Sequence, residues 1–522
     1  MRRLLAPILM ACAALAQPAA AKELRFAFQA DVASLDPVYF NEAFTQGWLN
    51  NIQEGLVRWD NELKIEPALA TEWRMDDPVT WTFKLRRGVK FHDGRPMTAD
   101  DVLFTYERAM GPTSDYRSTL TEVAKVEKVD DYTVRFTTKG PYPILPNTIV
   151  SIFILNREWA KENDATGASS IGKNIQNYAH FNANGTGPFK VVSRRVDQQT
   201  ELAANPDWWD KPTHNLTRAV FLPIKNPATR VASLLSGQVD MIWPLPLQDI
   251  PRVERSAGYK VVQRPSEWIV MLGMDQRHDE LQGSSVKGRN PFKDVRVREA
   301  VYRAIDVASI RDKVMRGLSV PTALPLARTT WGYDQSLDVR VPFDPDRAKA
   351  LLAEAGYPDG FDFTLHCPND RFINDEQICV ALVPMLARIG IKATLSVETR
   401  VKHFTKLRAR AADMFLVGWA AASVKDGHNT LNLLLATSDG TRGMSNAGQY
   451  SDRGLDDLIT RIGQELDVNK RRALFSQAWK HVRDDFAILP LHSQPAVWAM
   501  RDNIDMLQLA DDNIRLWRVN IR

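Results

Sequence analysis

Segments of helical period alternate with short segments of period two along most of this chain, and that alternation constrains the fold more than any other feature. Residues 344 to 367 show it most clearly. Asp344 stands where a helix N-cap belongs and Pro345 fits the first turn. Ala348, Leu351, Leu352 and Ala355 then form an apolar stripe that Gly356 stops. "FDFTLHC" follows, with Phe361, Phe363 and Leu365 alternating as in a strand. A second helix is expected from about residue 374 to 389, kinked or ended early by Pro384. Helix, strand and helix in this rhythm predict an α/β architecture. At 522 residues the chain exceeds what one core can hold, so two or three domains are expected.

Residues 1–21 depart from this pattern. Arg2 and Arg3 precede an apolar run from Leu4 to Ala16, and Ala19-Ala20-Ala21 forms a small-residue cleavage site before Lys22. This is the layout of a signal peptide. The rival reading, a lipid anchor at Cys12 in "LMAC", is disfavoured by Met10 and by the shortness of the apolar stretch before it. Further on, the longest apolar run is "TIVSIFIL" at 148 to 155, strand-sized and far short of a membrane span. An exported chain free of the membrane is expected, with the periplasm as its compartment.

Cleavage removes two arginines and leaves 65 basic against 63 acidic residues, a formal +2. That balance gives no electrostatic footprint for nucleic acid. Two cysteines remain, Cys367 and Cys379, either bridged, as an oxidising compartment allows, or buried separately as apolar residues.

Motifs for catalysis fail one by one. "GSSVKGRN" at 283 to 290 has glycines at P-loop spacing but Arg289-Asn290 where Lys-Ser/Thr is required. "NGTGPF" leaves the dinucleotide fingerprint after its second glycine, and neither G-x-S-x-G nor H-E-x-x-H occurs. Nine scattered histidines show no partner pattern and neither support nor exclude a bound metal chelate; no cofactor is implied and no metal site is assigned. The densest polar stretch, "VKFHDGRPMTADDV" at 89 to 102, is read as structure. A strand ends in a turn at His92-Asp93-Gly94, and Thr98 with Asp101 opens a helix as a capping pair.

The same stretch, with "EGLVRWD" (54 to 60), "PALATEW" (67 to 73), "GTGPFKVV" (185 to 192), "NPDWWD" (205 to 210), "SLLSGQVDM" (233 to 241) and "DPDRAKALLAEAGYPDGF" (344 to 361), resembles the family-5 solute-binding proteins of bacterial ABC importers. That group includes dipeptide, oligopeptide and nickel binders, and the likeness runs in order through the mature chain. It implies a two-lobed, periplasmic-binding-protein-like α/β fold of the class II type, with an extra subdomain in the first lobe. Lobe 1 would span 22–270, with the subdomain at about 58–180, and lobe 2 would span 275–488. Residues 489–522 would return to lobe 1, their last stretch "IRLWRVNIR" as a strand. "WIVMLGM" (268 to 274) and "AILPLHS" (487 to 493) would be the hinge crossings. A small-molecule ligand, peptide or peptide-like, and an ABC permease with its cytoplasmic ATPase are the implied partners of a monomer. The rivals are a chemoreceptor-partner or chaperone-like binding module and a secreted hydrolase.

The resemblance also places site residues. Trp268, Trp331 and Trp419 fall beside the family's cleft, whereas Trp81, Trp208, Trp209 and Trp479 read as core. "VASLDPVYFNEA" (32 to 43) matches the first cleft-lining loop, making Ser34, Asn41 and Glu42 candidates, with Asp36-Pro37 assigned to the turn. In "CPNDRFINDE", Arg371 either grips a carboxylate or phosphate or caps a helix. In "VGWAAASVKDGHNTLNLLL", Gly418-Trp419 matches, but Ala422 stands where peptide-binding relatives carry the aspartate that holds the ligand's α-ammonium. A buried ammonium without its counter-charge costs about 3–5 kcal/mol. The ligand therefore lacks such an amine, as in an opine-like conjugate or blocked peptide, or Asp426 or Glu42 takes over. Asp426 reads equally well as a solvated loop residue.

Overall fold

The computed structural model describes residues 22–40, 42–170, 173–421 and 424–522. The expected signal peptide, Cys12, Asn41 and Ala422 lie outside them. Two long strands, Tyr259–Met274 and Leu489–Arg501, run antiparallel through the centre of an eleven-stranded sheet. Residues 269 to 274 of the first are all buried, as suits a strand covered on both faces. The register of the pair breaks twice, between Pro265 and Ile269 and again between Val270 and Met271.

On one side the sheet continues through Met241–Ile242, Glu23–Phe28, Arg218–Pro223, Gln199–Ala204 and Phe189–Arg195. On the other it continues through Met414–Trp419, Asp362–Pro368 and Lys392–Glu398, the last three mutually parallel. Helices cover this second half. Asp344 caps Pro345–Glu354 by accepting from Arg347 N at 2.9 Å, Ala348, Leu351 and Leu352 are buried, and Gly356 takes φ +87° beyond the last turn.

A separate four-stranded antiparallel sheet, ordered Ala70–Asp77, Thr80–Leu85, Thr133–Thr138, Val123–Asp130, packs under the helix Ala99–Met110 around Phe83, Tyr106 and Phe136. The 89–102 stretch sits here as a turn and a helix start. His92 N donates to Gly185 O at 2.8 Å, Asn184 Nδ2 donates to Asp93 at 2.8 Å, and Thr98 N donates to Asp101 at 2.9 Å. Burial holds His92 down at about 4, so it is a neutral clamp at neutral pH.

Three local expectations need correction. Pro384 does not end its helix, which runs from Asp375 to Ala387. Of the C-terminal stretch, only Asn520–Ile521 is extended, pairing with Ile504–Asp505 outside the main sheet, while Leu516 and Trp517 pack into the first lobe's core. Asp36 is more than a turn residue: both its oxygens receive Arg108 at 2.6 Å, and neither side chain is more than 1% exposed. Burial pushes its carboxyl up, and the Arg108 guanidinium outweighs that, holding it below the usual carboxylate range.

Candidate ligand-binding cleft

Between the lobes lies a cleft. One wall is the helix Ala43–Leu49 with the residues after it and Val150, Ser151 and Phe153; the other is Ala420 and Lys425, with Glu267 and Trp268 on the crossing strand and the 511–515 loop between them. Glu42 builds the first wall by capping its helix, accepting from Phe44 N at 3.1 Å and Thr45 N at 2.9 Å. Gly47 lets the 511–515 loop approach, since a Cβ there would sit 2.1 Å from Asn513 Oδ1.

The floor is charged but internally paired. Lys425 Nζ reaches Glu267 and lies 5.4 Å from the Trp59 ring centre; Glu267 also accepts from Thr329 Oγ1 at 3.0 Å. Arg515 clasps Asp511 at 2.7 and 3.1 Å. Burial raises Asp511, but Arg515 and then Lys425 outweigh it, and the carboxyl stays well below its usual range. Its neighbour Asp512 has no such cation, and burial pushes it up to about 7 while it accepts from Trp498 Nε1 at 2.6 Å. Above the cleft, Asn147 Nδ2 donates to Val424 O at 2.9 Å, joining the subdomain to the second lobe's loop.

Arg371 stands at the edge of this cleft. Its guanidinium lies 4.5 Å from the Trp268 ring centre and 5.2 Å from that of Phe372, and no described residue accepts a hydrogen bond from it. Burial lowers its affinity for the proton, and the nearby charge of Glu42 opposes that. The loop that carries it is stapled by a disulfide between Cys367, at the end of its strand, and Cys379, in the following helix. Of the two cysteine readings, the bridge is the one realised.

The candidates therefore separate. Only Trp268 lines the cleft; Arg371 stacks on it from outside that lining, and Glu42, next to the lining residue Ala43, sits close enough for its charge to act on Arg371. Ser34 is fully buried behind it, its Oγ accepting from Asp36 N and directed to His180 O. Asp426 is 2% exposed, caps the helix Gly427–Thr430 and binds Arg471 through both oxygens at 2.7 and 2.9 Å, which replaces the solvated-loop reading. Trp331 belongs to that same group, 4.6 Å under the Arg471 guanidinium and edge-on to Phe475. Trp419 donates to Thr430 Oγ1 at 3.1 Å and lines a different cavity. None of these last four lines the cleft. Glu267, Lys425, Asp511 and Arg515 went unnoticed in the sequence. The one local sign was Asp511 four residues before Arg515.

Two α/β lobes joined by crossing strands around a polar cleft define a binding protein of the two-lobed periplasmic type. Residues 64–442 match the model for bacterial extracellular solute-binding proteins, family 5, in its middle region, and the chain belongs to that family of ABC-importer binding components. Among curated relatives, the glutathione-binding protein GsiB of Escherichia coli K12 is 26% identical over 493 residues, covering 93% of this chain and 91% of that protein. DppA from Helicobacter pylori, solved with the peptide STSA, superposes with a TM-score of 0.78 at 26% identity, covering 96% of this chain and 98% of that one. CtaP of Listeria monocytogenes, a substrate-binding protein at 22% identity, shares the fold with a TM-score of 0.82, over 96% and 99% of the two chains.

Proposed function

We propose that this protein captures a peptide or peptide-like molecule bearing an anionic group and delivers it, unchanged, from the periplasm to its membrane permease. The observation that carries this reading is Arg371. A guanidinium 4.5 Å from the Trp268 ring centre, with no described residue accepting from its donors, is suited to two-pronged binding of a carboxylate. The relatives' names, glutathione-binding and peptide-bound, support a peptide-like ligand for this chain. Asp426 is spent on Arg471, so with Ala422 in place of the amine-binding aspartate the ligand is blocked or opine-like, or Glu42, bound only to two backbone N–H groups, takes the amine. On this reading the lobes are 22–270, with the subdomain at about 58–180, and 275–488, with 489–522 returning to the first. They part and close about the bulge at 265–269.

Calorimetric titration of the mature chain tests it, using N-acylated and free dipeptides, each with a free or amidated C-terminus. Arg371→Ala should weaken binding of the free carboxylate about 10- to 100-fold and leave the amidated ligand's affinity unchanged. Equal losses for both ligands would remove Arg371 from the role of anion grip. A ligand consumed during the titration would favour the hydrolase instead.

A further inference from the structure

A second cavity, of about 280 Å³, lies inside the lobe that carries Arg371, and no residue lining it also lines the cleft. It opens to solvent, and its lining is mostly apolar with Gln276, Ser445 and Asn446 among its polar members. Its walls are aromatic and aliphatic: Phe415 and Val417 from the strand Met414–Trp419, Phe404 and Leu407 from the helix Arg400–Arg408, and Leu434 and Leu435 from the π-helical turn Leu431–Leu435. Gly273 on the crossing strand makes room for that wall. A Cβ there would lie 2.3 Å from Cζ of Phe415, so the ring rests where only glycine admits it.

The mouth is marked by the exposed lining residues, Arg408, Met444 at 59% exposure and Ser445. No aspartate or glutamate lines the space. Arg408 makes one side-chain hydrogen bond, from Nη2 to Thr405 Oγ1 at 3.2 Å, and keeps its other donors for a partner. Arg410, also in the lining, is already committed to Asn446 O and Ser438 Oγ. An apolar chamber with a cation at its entrance and no carboxylate in its walls has the polarity of an amphiphile with an anionic head.

We propose that this cavity is a second binding site, independent of the cleft, for a small amphiphilic carboxylate whose aliphatic body fills the chamber while its head pairs with Arg408. Trp419, in the wall, is followed by Ala420 in the cleft, but the two spaces share no lining residue.

The experiment titrates the mature full chain with sodium octanoate, butyrate and octylammonium by calorimetry, in the wild type, Ala447→Phe and Arg408→Ala. Ala447 lines the cavity, so a phenyl ring there occupies it; Arg408 is exposed, and its loss leaves the fold alone. The expected result is saturable one-to-one octanoate binding, at least about tenfold weaker for butyrate and octylammonium. Binding should be lost in Ala447→Phe and weakened about fivefold in Arg408→Ala. The proposal is overturned if octanoate does not saturate, if octylammonium binds as well, or if Arg408→Ala binds octanoate like the wild type. Neither variant should change affinity for the cleft ligand, so failure here and failure of the cleft reading register in different titrations.

Discussion

At the scale of single residues, the cleft is governed by charges that hardly touch water. The side chains of Lys425 and Glu267 are 3% and 4% exposed, and removing one leaves the other buried and uncompensated. Lys425→Met should cost about 3–5 kcal/mol of stability, while Lys425→Met combined with Glu267→Leu should recover most of that loss, because an apolar pair needs no counter-charge. Denaturant midpoints of the single and double variants check this, and additive losses would contradict it. The pair was invisible in the sequence because its members are 158 residues apart. Asp426 failed for the same reason: its turn chemistry was legible, but the Arg471 that consumes its carboxylate comes from a helix 45 residues on. Arg371 was legible as a candidate because the motif around it is local; that its guanidinium would stack on Trp268, far earlier in the chain, was not.

At the scale of elements, the disulfide and the helix after it decide how firmly Arg371 is presented. The bridge closes a loop with a sequence separation of 12, and a loop of that length is worth about 3 kcal/mol in the chain-entropy account. Replacing both cysteines, Cys367→Ser with Cys379→Ser, should lower stability by about that amount and weaken carboxylate binding, with no further effect of reductant on the variant. Thermal unfolding with and without reductant, followed by ligand titration, measures both. The helix survives Pro384 because the proline is exposed and so is Val380, one turn before it, at 54%; the carbonyl that loses its partner is on the solvent side. Sequence pattern alone could not say which side Pro384 would take. The turn at His92 and the caps at Thr98 and Asp344 were legible, since each is settled within about four residues.

At the scale of the whole molecule, the proposed closure of the two lobes predicts that ligand binding shrinks the radius of gyration seen by small-angle scattering. An unchanged profile with a verified tight ligand would count against closure. Acid stability follows from burial. His92 and His428 are held down at about 4 and His492 at about 3, each by desolvation. In the unfolded chain they titrate near 6.5, so the unfolded state binds their protons first, and the stability present above about pH 6.5 is lost as pH falls towards 4. Glu54 and Asp512, pushed up by burial to about 6 and about 7, act with the opposite sign, because the folded chain keeps their protons longer. With His366 also held down at about 4, four histidines together outweigh the two carboxyls, although Asp512 alone is shifted further than His92, His366 or His428, and chemical denaturation should show a net loss on the order of several kcal/mol between pH 6.5 and 4. A midpoint that rises over that interval would reverse the assignment.

The α/β class, the helix starts and the turns were determined by the sequence itself, because periodicity, capping and turn chemistry are settled between neighbours in the chain. Which carboxylate meets which cation, and which tryptophan lines the cleft, was decided only when residues near positions 47, 267, 425 and 511 met in space. Coulomb energy and desolvation depend on distance and burial, and neither is written in the spacing of residues along the chain.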